Sequence, residues 1–153
     1  MCAIGVTAAI GVATNRDFQR PDWRVVAHML GGAPAAGRVI VIQRYRDLLP
    51  LSLYEQGLRF MRGAHADVSE VDVVAMSAPH VSLCWWGAAC NLSPSTLQRS
   101  YALRGFHPEW RRRDLQFSVL DLRSARPVRL DRSVVSHALT ETTLSRDGLL
   151  IQR

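Results

Sequence analysis

The amino-acid sequence predicts an α/β fold: a single Rossmann-like three-layer domain with a mostly parallel central sheet and a C-terminal antiparallel strand pair. Three observations predict it. Arg38-Val39-Ile40-Val41-Ile42-Gln43 is a β-branched run without alternation, the pattern of a strand that is apolar on both faces because both are covered. Val71-Asp72-Val73-Val74-Ala75-Met76-Ser77 is a second such run, expected to pair beside the first. Trp23, Val26, Ala27 and Leu30 recur at helical spacing, which gives a helix one apolar face to lay on the sheet.

With 153 residues and 48% hydrophobic content, the chain suffices for one domain with its own core and is too short for two of ordinary size. The expected division is an apolar stub over 1–15, an α/β domain over 16–132 and a peripheral tail over 133–153. The formal charge of +6 raises nucleic acid or an anionic surface as partners. However, every Lys-or-Arg position is arginine, a sign of coding bias in a GC-rich genome, and the arginines scatter from Arg16 to Arg153. Only Arg111-Arg112-Arg113 is dense. Nucleic-acid binding is therefore not expected, because a footprint should be a contiguous patch.

Cys2 to Ala13 is uncharged and apolar. It is shorter than the roughly 20 residues that span a bilayer and lacks the basic region that precedes a signal peptide's apolar core. Two readings are open: the last turns of a membrane helix whose beginning lies outside this chain, or an N-terminal strand or helix of the domain. The lack of alternation or of a one-sided stripe favours the first. Asp22 is placed to cap the next helix, with Pro21 just before it and Gly31-Gly32 at its end. Leu58 to Arg62 alternates as a half-buried strand would, and Gly63 to Glu70 reads as a polar loop. Pro94-Ser95-Thr96 begins a short helix closed by Gly105. Phe106 to Arg113 and Leu115 to Leu122 read as an antiparallel pair. Arg123 to Arg132 reads as an extended connection through Pro127, and the tail from Ser133 as a peripheral helix and a loose end.

The candidate ligand-facing residues are Arg44, Tyr45, Arg46 and Tyr54. The first three follow the first strand at its carboxyl end, where open α/β sheets place ligand crevices. Arginines there suit bidentate recognition of phosphate or carboxylate, although solvated loop arginines would look the same. Trp85 and Trp86 are candidate interface residues, since indoles suit a boundary that is apolar at one end and wet at the other; the competing reading has both rings filling the groove between sheet and helix. Cys84 and Cys90 enclose a small loop that a disulfide can close in an oxidising compartment, and two reduced buried thiols fit the spacing equally. A zinc site using them with His80 and His107 lacks close ligand pairs. Glu70-Val71-Asp72 has an acidic-x-acidic form but reads as the polar entry to a strand. No nucleophile elbow, phosphate loop or dinucleotide fingerprint occurs, so no catalytic residue, metal or cofactor is assigned.

The order of these features resembles a known family. The apolar segment, Asp22-Trp23-Arg24, Gly37-Arg38-Val39-Ile40-Val41-Ile42, the Tyr45 loop with Leu51-Ser52-Leu53-Tyr54, Val71-Asp72-Val73-Val74, and Gly105-Phe106 leading to Gln116-Phe117-Ser118-Val119-Leu120-Asp121-Leu122 follow one another. Together they are similar to the soluble C-terminal, extracytoplasmic domain of bacterial membrane glycosyltransferases related to dolichyl-phosphate-mannose protein mannosyltransferases. The resemblance implies a non-catalytic accessory domain at the bacterial cell membrane, on its extracytoplasmic side. Its implied partners are the transmembrane part of a glycosyltransferase, the membrane surface, and a polyprenyl-phosphate-linked sugar or its acceptor. The family's catalytic acids lie between transmembrane helices that this chain does not contain. The alternative from the residues alone is a free-standing α/β small-molecule enzyme or anion-binding module.

Overall fold

The structure is a computed structural model and describes residues 2–14, 22–42, 48–76, 103–114, 117–139 and 148–153. Its elements in chain order are α1 (Cys2–Thr14), α2 (Trp23–Leu30), β1 (Arg38–Ile42), α3 (Leu48–Ser52), β2 (Arg59–Phe60), β3 (His65–Met76), β4 (His107–Arg113), β5 (Phe117–Asp131), α4 (Arg132–Leu139) and β6 (Gly148–Gln152). The strands form one six-stranded sheet in the order β2-β6-β1-β3-β5-β4.

The mostly parallel Rossmann-like fold is not what this chain adopts. Only β1 and β3 run parallel; the β1–β6, β2–β6, β3–β5 and β4–β5 pairs are antiparallel. The described chain is mainly strand, with few helices. The reason lies in what an unbroken apolar run specifies. It requires cover on both faces, and every residue of β1 is buried, but cover says nothing about the direction of the neighbouring strands. One neighbour, β6, arrives antiparallel from residues expected to be a loose end, with Leu149 and Leu150 buried opposite Val41 and Ile40.

Two further expectations are corrected. The polar loop over Gly63 to Glu70 is largely strand, because β3 begins at His65, and Ala66 and Val68 are buried on one face. The connection over Arg123 to Arg132 is mainly the continuation of β5. Its pairing with β3 jumps from Glu70↔Arg123 to Val68↔Val128, so Ser124 to Pro127 bulge out of the ladder, and Pro127 sits where no N–H is needed. Other expectations match. Asp22 caps α2, its Oδ1 accepting from the Arg24 N–H at 3.1 Å, and Trp23, Val26 and Leu30 are its buried face. The β4–β5 pair is antiparallel, as the sequence suggests.

Both edges of the sheet are blunted. β2 has only two residues, and β4, sequence HPEWRRR, is exposed except for the half-buried Trp110. Short or heavily charged edges resist pairing with other chains. Helices α2 and α3 lie over one face, where Trp23, Leu51, Ile40, Ile42, Val74, Phe117 and Leu150 form a core. Trp23 and Phe117 pack there at 4.8 Å between ring centroids, tilted by 59°. The opposite face carries Val39, Val41, Val71, Val73, Leu120, Leu122 and Leu149, with Val135 of α4.

Candidate functional site

The strand registers align a polar row across the middle of the sheet. Arg38 lies opposite Gln152 on one side and Glu70 on the other, and Glu70 lies opposite Arg123. In the next row, Asp72 lies opposite Asp121. Alternation places these residues on the face that α2 covers. Arg38, Asp72 and Asp121 are fully buried, and Glu70 and Gln152 nearly so.

Arg38 is the hub. Its Nη1 and Nη2 donate to the carbonyls of Leu30 and Gly31 at 2.8 and 2.9 Å, and its Nε donates to Gln152 Oε1 at 2.7 Å. The guanidinium thereby satisfies the last carbonyls of α2 and places a cation at the negative end of the helix dipole. Gly31, at φ 63°, turns its own carbonyl toward the same group. Around this centre Nη2 meets Glu55 Oε2 and Nη1 meets Glu70 Oε1, both at 3.4 Å, with Asp72 Oδ2 at 3.8 Å. Gln152 passes the network on, donating to Glu55 Oε2 at 3.0 Å and to the Gln56 carbonyl at 2.6 Å. At the other end, the half-exposed Arg123 meets Glu70 Oε2 at 3.3 Å and Asp121 Oδ2 at 2.9 Å.

Four carboxylates thus surround two guanidiniums, and the excess falls on Asp72 and Asp121. Among the described residues, both oxygens of Asp72 and Oδ1 of Asp121 lack a hydrogen-bond partner. Burial pushes the Asp72 carboxyl well above its usual range, and Glu70 pushes it further, against the opposing pull of Arg38. Burial, then Glu70, also raises Asp121. These are the conditions under which a buried acid keeps its proton. One carboxylate oxygen from each of Glu70, Asp72 and Asp121 lies within 4.8 Å of the others, a separation a cation could bridge. Glu70, however, already has an arginine at each of its oxygens. A proton on Asp72 relieves the same excess and provides a donor for its neighbours. The arrangement ties α2 to the sheet and favours the protonated form of Asp72.

The acidic pair is therefore not a polar strand entry. Glu70 and Asp72 lie in the interior of β3 and face the buried hub. The pattern alone pointed to the surface, because a charged residue in a strand is usually solvated; the signal for burial was Arg38, the lone charge at the start of an apolar strand. Of the residues assigned to a site from sequence, Arg44, Tyr45, Arg46, Trp85, Trp86, Cys84 and Cys90 lie outside the described residues. Tyr54 is exposed at 47% and is not in the charged cluster. Neighbouring Leu49 and Leu53 are exposed at 72% and 77%, so Leu51, with the partly buried Leu48, carries α3 into the core.

Comparison of the chain with protein-family models, with curated proteins and with solved structures finds no match.

Proposed function

We propose that the chain is a non-catalytic accessory domain that works on the extracytoplasmic side of the bacterial membrane, against the transmembrane part of a polytopic glycosyltransferase using a polyprenyl-phosphate-linked sugar. The observation that carries this reading is α1. Its sequence, CAIGVTAAIGVAT, has no charge, and its apolar residues point to no single side. Val6 and Ile10 are 58% and 57% exposed. A helix apolar all round is one that something else buries. At about 20 Å, from the rise per residue, α1 is shorter than a bilayer's core. Among the described residues no helix is long and apolar enough to cross a membrane; the uncharged sequence and exposed apolar side chains of α1 suit contact with a membrane or with other helices.

Two features agree with it. Leu49, Leu53 and Tyr54 add exposed apolar surface. The buried charges are engaged in holding the fold, which suits a domain that positions rather than reacts. The order of sequence motifs described above points to the same family of enzymes.

Vesicle flotation of the full chain tests the membrane claim. The wild-type chain is expected to float with phosphatidylcholine–phosphatidylglycerol vesicles, and Val6→Asp/Ile10→Asp to stay in the dense fraction with unchanged melting. Equal recovery of both in the dense fraction would sink it. Release of hexose from a polyprenyl-phosphate-linked donor by the purified chain would overturn the non-catalytic assignment.

A further inference from the structure

A second feature lies at the same end of β6 as the buried cluster but on the opposite face of the sheet, the face of Met61, Ala66 and Ile151. The β1–β3 ladder begins at Arg38↔Glu70, and Gln152 is the β6 residue opposite Arg38. His65 to Ser69 therefore overhang the ends of β1 and β6. On the far side of β6, β2 pairs with Leu150 and Ile151. The chain leaving Met61 must cross these strand ends to reach His65. Between the edge strand and the overhang it encloses a pocket of about 360 Å³.

Among the described residues the pocket's lining includes Arg59, Arg62, Arg153 and His65 with apolar Met61 and Ile151, and no Asp or Glu. Several other arginines are engaged. Arg38 and Arg123 each meet two or more carboxylates, Arg24 pairs with Asp22, and Arg112 stacks on Trp110 at 4.5 Å. The side chains of Arg59, Arg62 and Arg153 have no hydrogen bond, ion pair or ring contact among the described residues. Arg104, Arg113, Arg126 and Arg132 likewise have no side-chain partner among the described residues, so what sets Arg59, Arg62 and Arg153 apart is that they share one concavity. Each sits on backbone that is tied down: Arg59 opposite Ile151 in the ladder, Arg62 next to Met61, whose N–H donates to the Leu149 carbonyl at 2.8 Å, and Arg153 one residue beyond Gln152. Three arginines lining one concavity, with no acidic side chain among the described lining residues, repel one another, and an anion between them reduces that repulsion.

We propose that this notch is an anion site for a phosphate-bearing ligand, a phosphomonoester or a diphosphate. Guanidinium is always charged, and its planar fork matches two phosphate oxygens at once. Three of them suit a group with several oxygens and more than one negative charge. The volume lies at the small end of ligand pockets, enough for a headgroup. Met61 and Ile151 offer an apolar wall for whatever carries the phosphate. The site stands independently of the membrane reading, since it is built from arginines at the strand ends and uses no residue of α1.

The test uses the full chain and two kinds of probe. Calorimetry at low salt with inorganic phosphate and with pyrophosphate reads a soluble ligand. Flotation with phosphatidylcholine vesicles, with or without phosphatidic acid, reads a lipid headgroup. The flotation is done in the Val6→Asp/Ile10→Asp background, so that docking through α1 cannot supply the signal. Each of Arg59→Gln, Arg62→Gln and Arg153→Gln is expected to weaken binding about 10-fold, the usual order for one charge-assisted contact. The triple variant is expected to abolish it, and added salt to weaken it. Pyrophosphate binding without vesicle binding assigns a free phosphate ligand, and phosphatidic-acid-dependent flotation assigns a lipid headgroup. The proposal is overturned if the wild-type chain binds no phosphate probe, or if the single and triple variants bind as tightly as wild type. All three side chains are exposed, so folding is checked by melting, and the single variants decide should the triple variant fail.

Discussion

The two faces of the sheet are held by different forces. The face under α4 is a continuous apolar layer from Met61 and Val68 through Val71, Val73, Leu120 and Leu122. It is stabilised by area removed from water, about 25 cal/mol per Å², and tolerates changes that keep volume. The face under α2 and α3 is divided. Half is apolar around Trp23 and Phe117, and half is the network centred on Arg38. There, energy comes from saturating a few directional groups, and a single deletion strands several partners. The apolar layer gives stability that is insensitive to pH and salt. The network gives a unique register for α2, since its last carbonyls fit one guanidinium, at the cost of sensitivity to protonation.

The largest expected effect breaks that network. Arg38→Ala leaves the carbonyls at the end of α2 without their donor and Glu55 and Glu70 each without one of their partners, and a loss of about 3–5 kcal/mol is expected, as for other broken buried pairs. The loss should be greater at pH 8 than at pH 5, where the stranded carboxylates take up protons. Chemical denaturation at both pH values checks it. Leu122→Ala on the opposite face should cost about 2–5 kcal/mol by cavity formation, with the same value at both pH values. Should the Leu122 variant show the stronger pH dependence, the proposed contrast between the faces would fail.

A smaller effect of opposite sign is expected from Asp72→Asn. The folded chain holds the Asp72 proton more tightly than the unfolded chain. For this group the native state binds more protons, so stability is full below the ordinary carboxylate range and declines as pH rises above it. Asp121 is raised too and acts in the same direction. Asparagine keeps a neutral donor there, so the variant should be more stable above neutrality, by on the order of 1 kcal/mol for a buried polar group no longer charged, and its stability should vary less with pH. A variant less stable than wild type at pH 8 would argue that Asp72 is an anion needed by Arg38 or by a cation.

The smallest expected effect concerns the N-terminus of the helix that Arg38 holds at its other end. Asp22→Ala removes the α2 cap and should cost about 0.5–1 kcal/mol. The neighbouring Arg24 keeps the Asp22 carboxyl below its usual range, so this contribution is present at neutral pH and is lost as pH falls below that range. Amide exchange that speeds up in α2 but not in α4 would place the effect on the divided face; equal acceleration in both helices would instead indicate loosening of the whole domain.

Much of this architecture could be read locally. Capping chemistry at Asp22, helical spacing from Trp23 to Leu30 and the unbroken run of β1 each mark their element, because propensity and periodicity act within a few residues. The antiparallel β4–β5 pair was visible for the same reason. Strand direction was not, since β6 and β1 are more than a hundred residues apart in sequence and the short GLLIQ segment has no periodicity long enough to announce a strand. Of the buried cluster, Arg38 was visible only as the opening residue of a strand, and Glu70-Val71-Asp72 looked like a solvated edge. The arginine notch was not legible at all, because Arg59, Arg62 and Arg153 converge through strand ends.

The sequence by itself determined α2, the central strand β1 and the β4–β5 pair and that both faces of β1 must be covered, because capping, periodicity and burial patterns are written residue by residue. Only the tertiary structure decided that the sheet is mixed and that charges from β1, β3, β5 and β6 meet under α2. It alone decided that some arginines are saturated inside while three others face one pocket without a partner. Those outcomes depend on register between distant strands, and register is chosen by the packing of the whole sheet rather than by any one stretch of it.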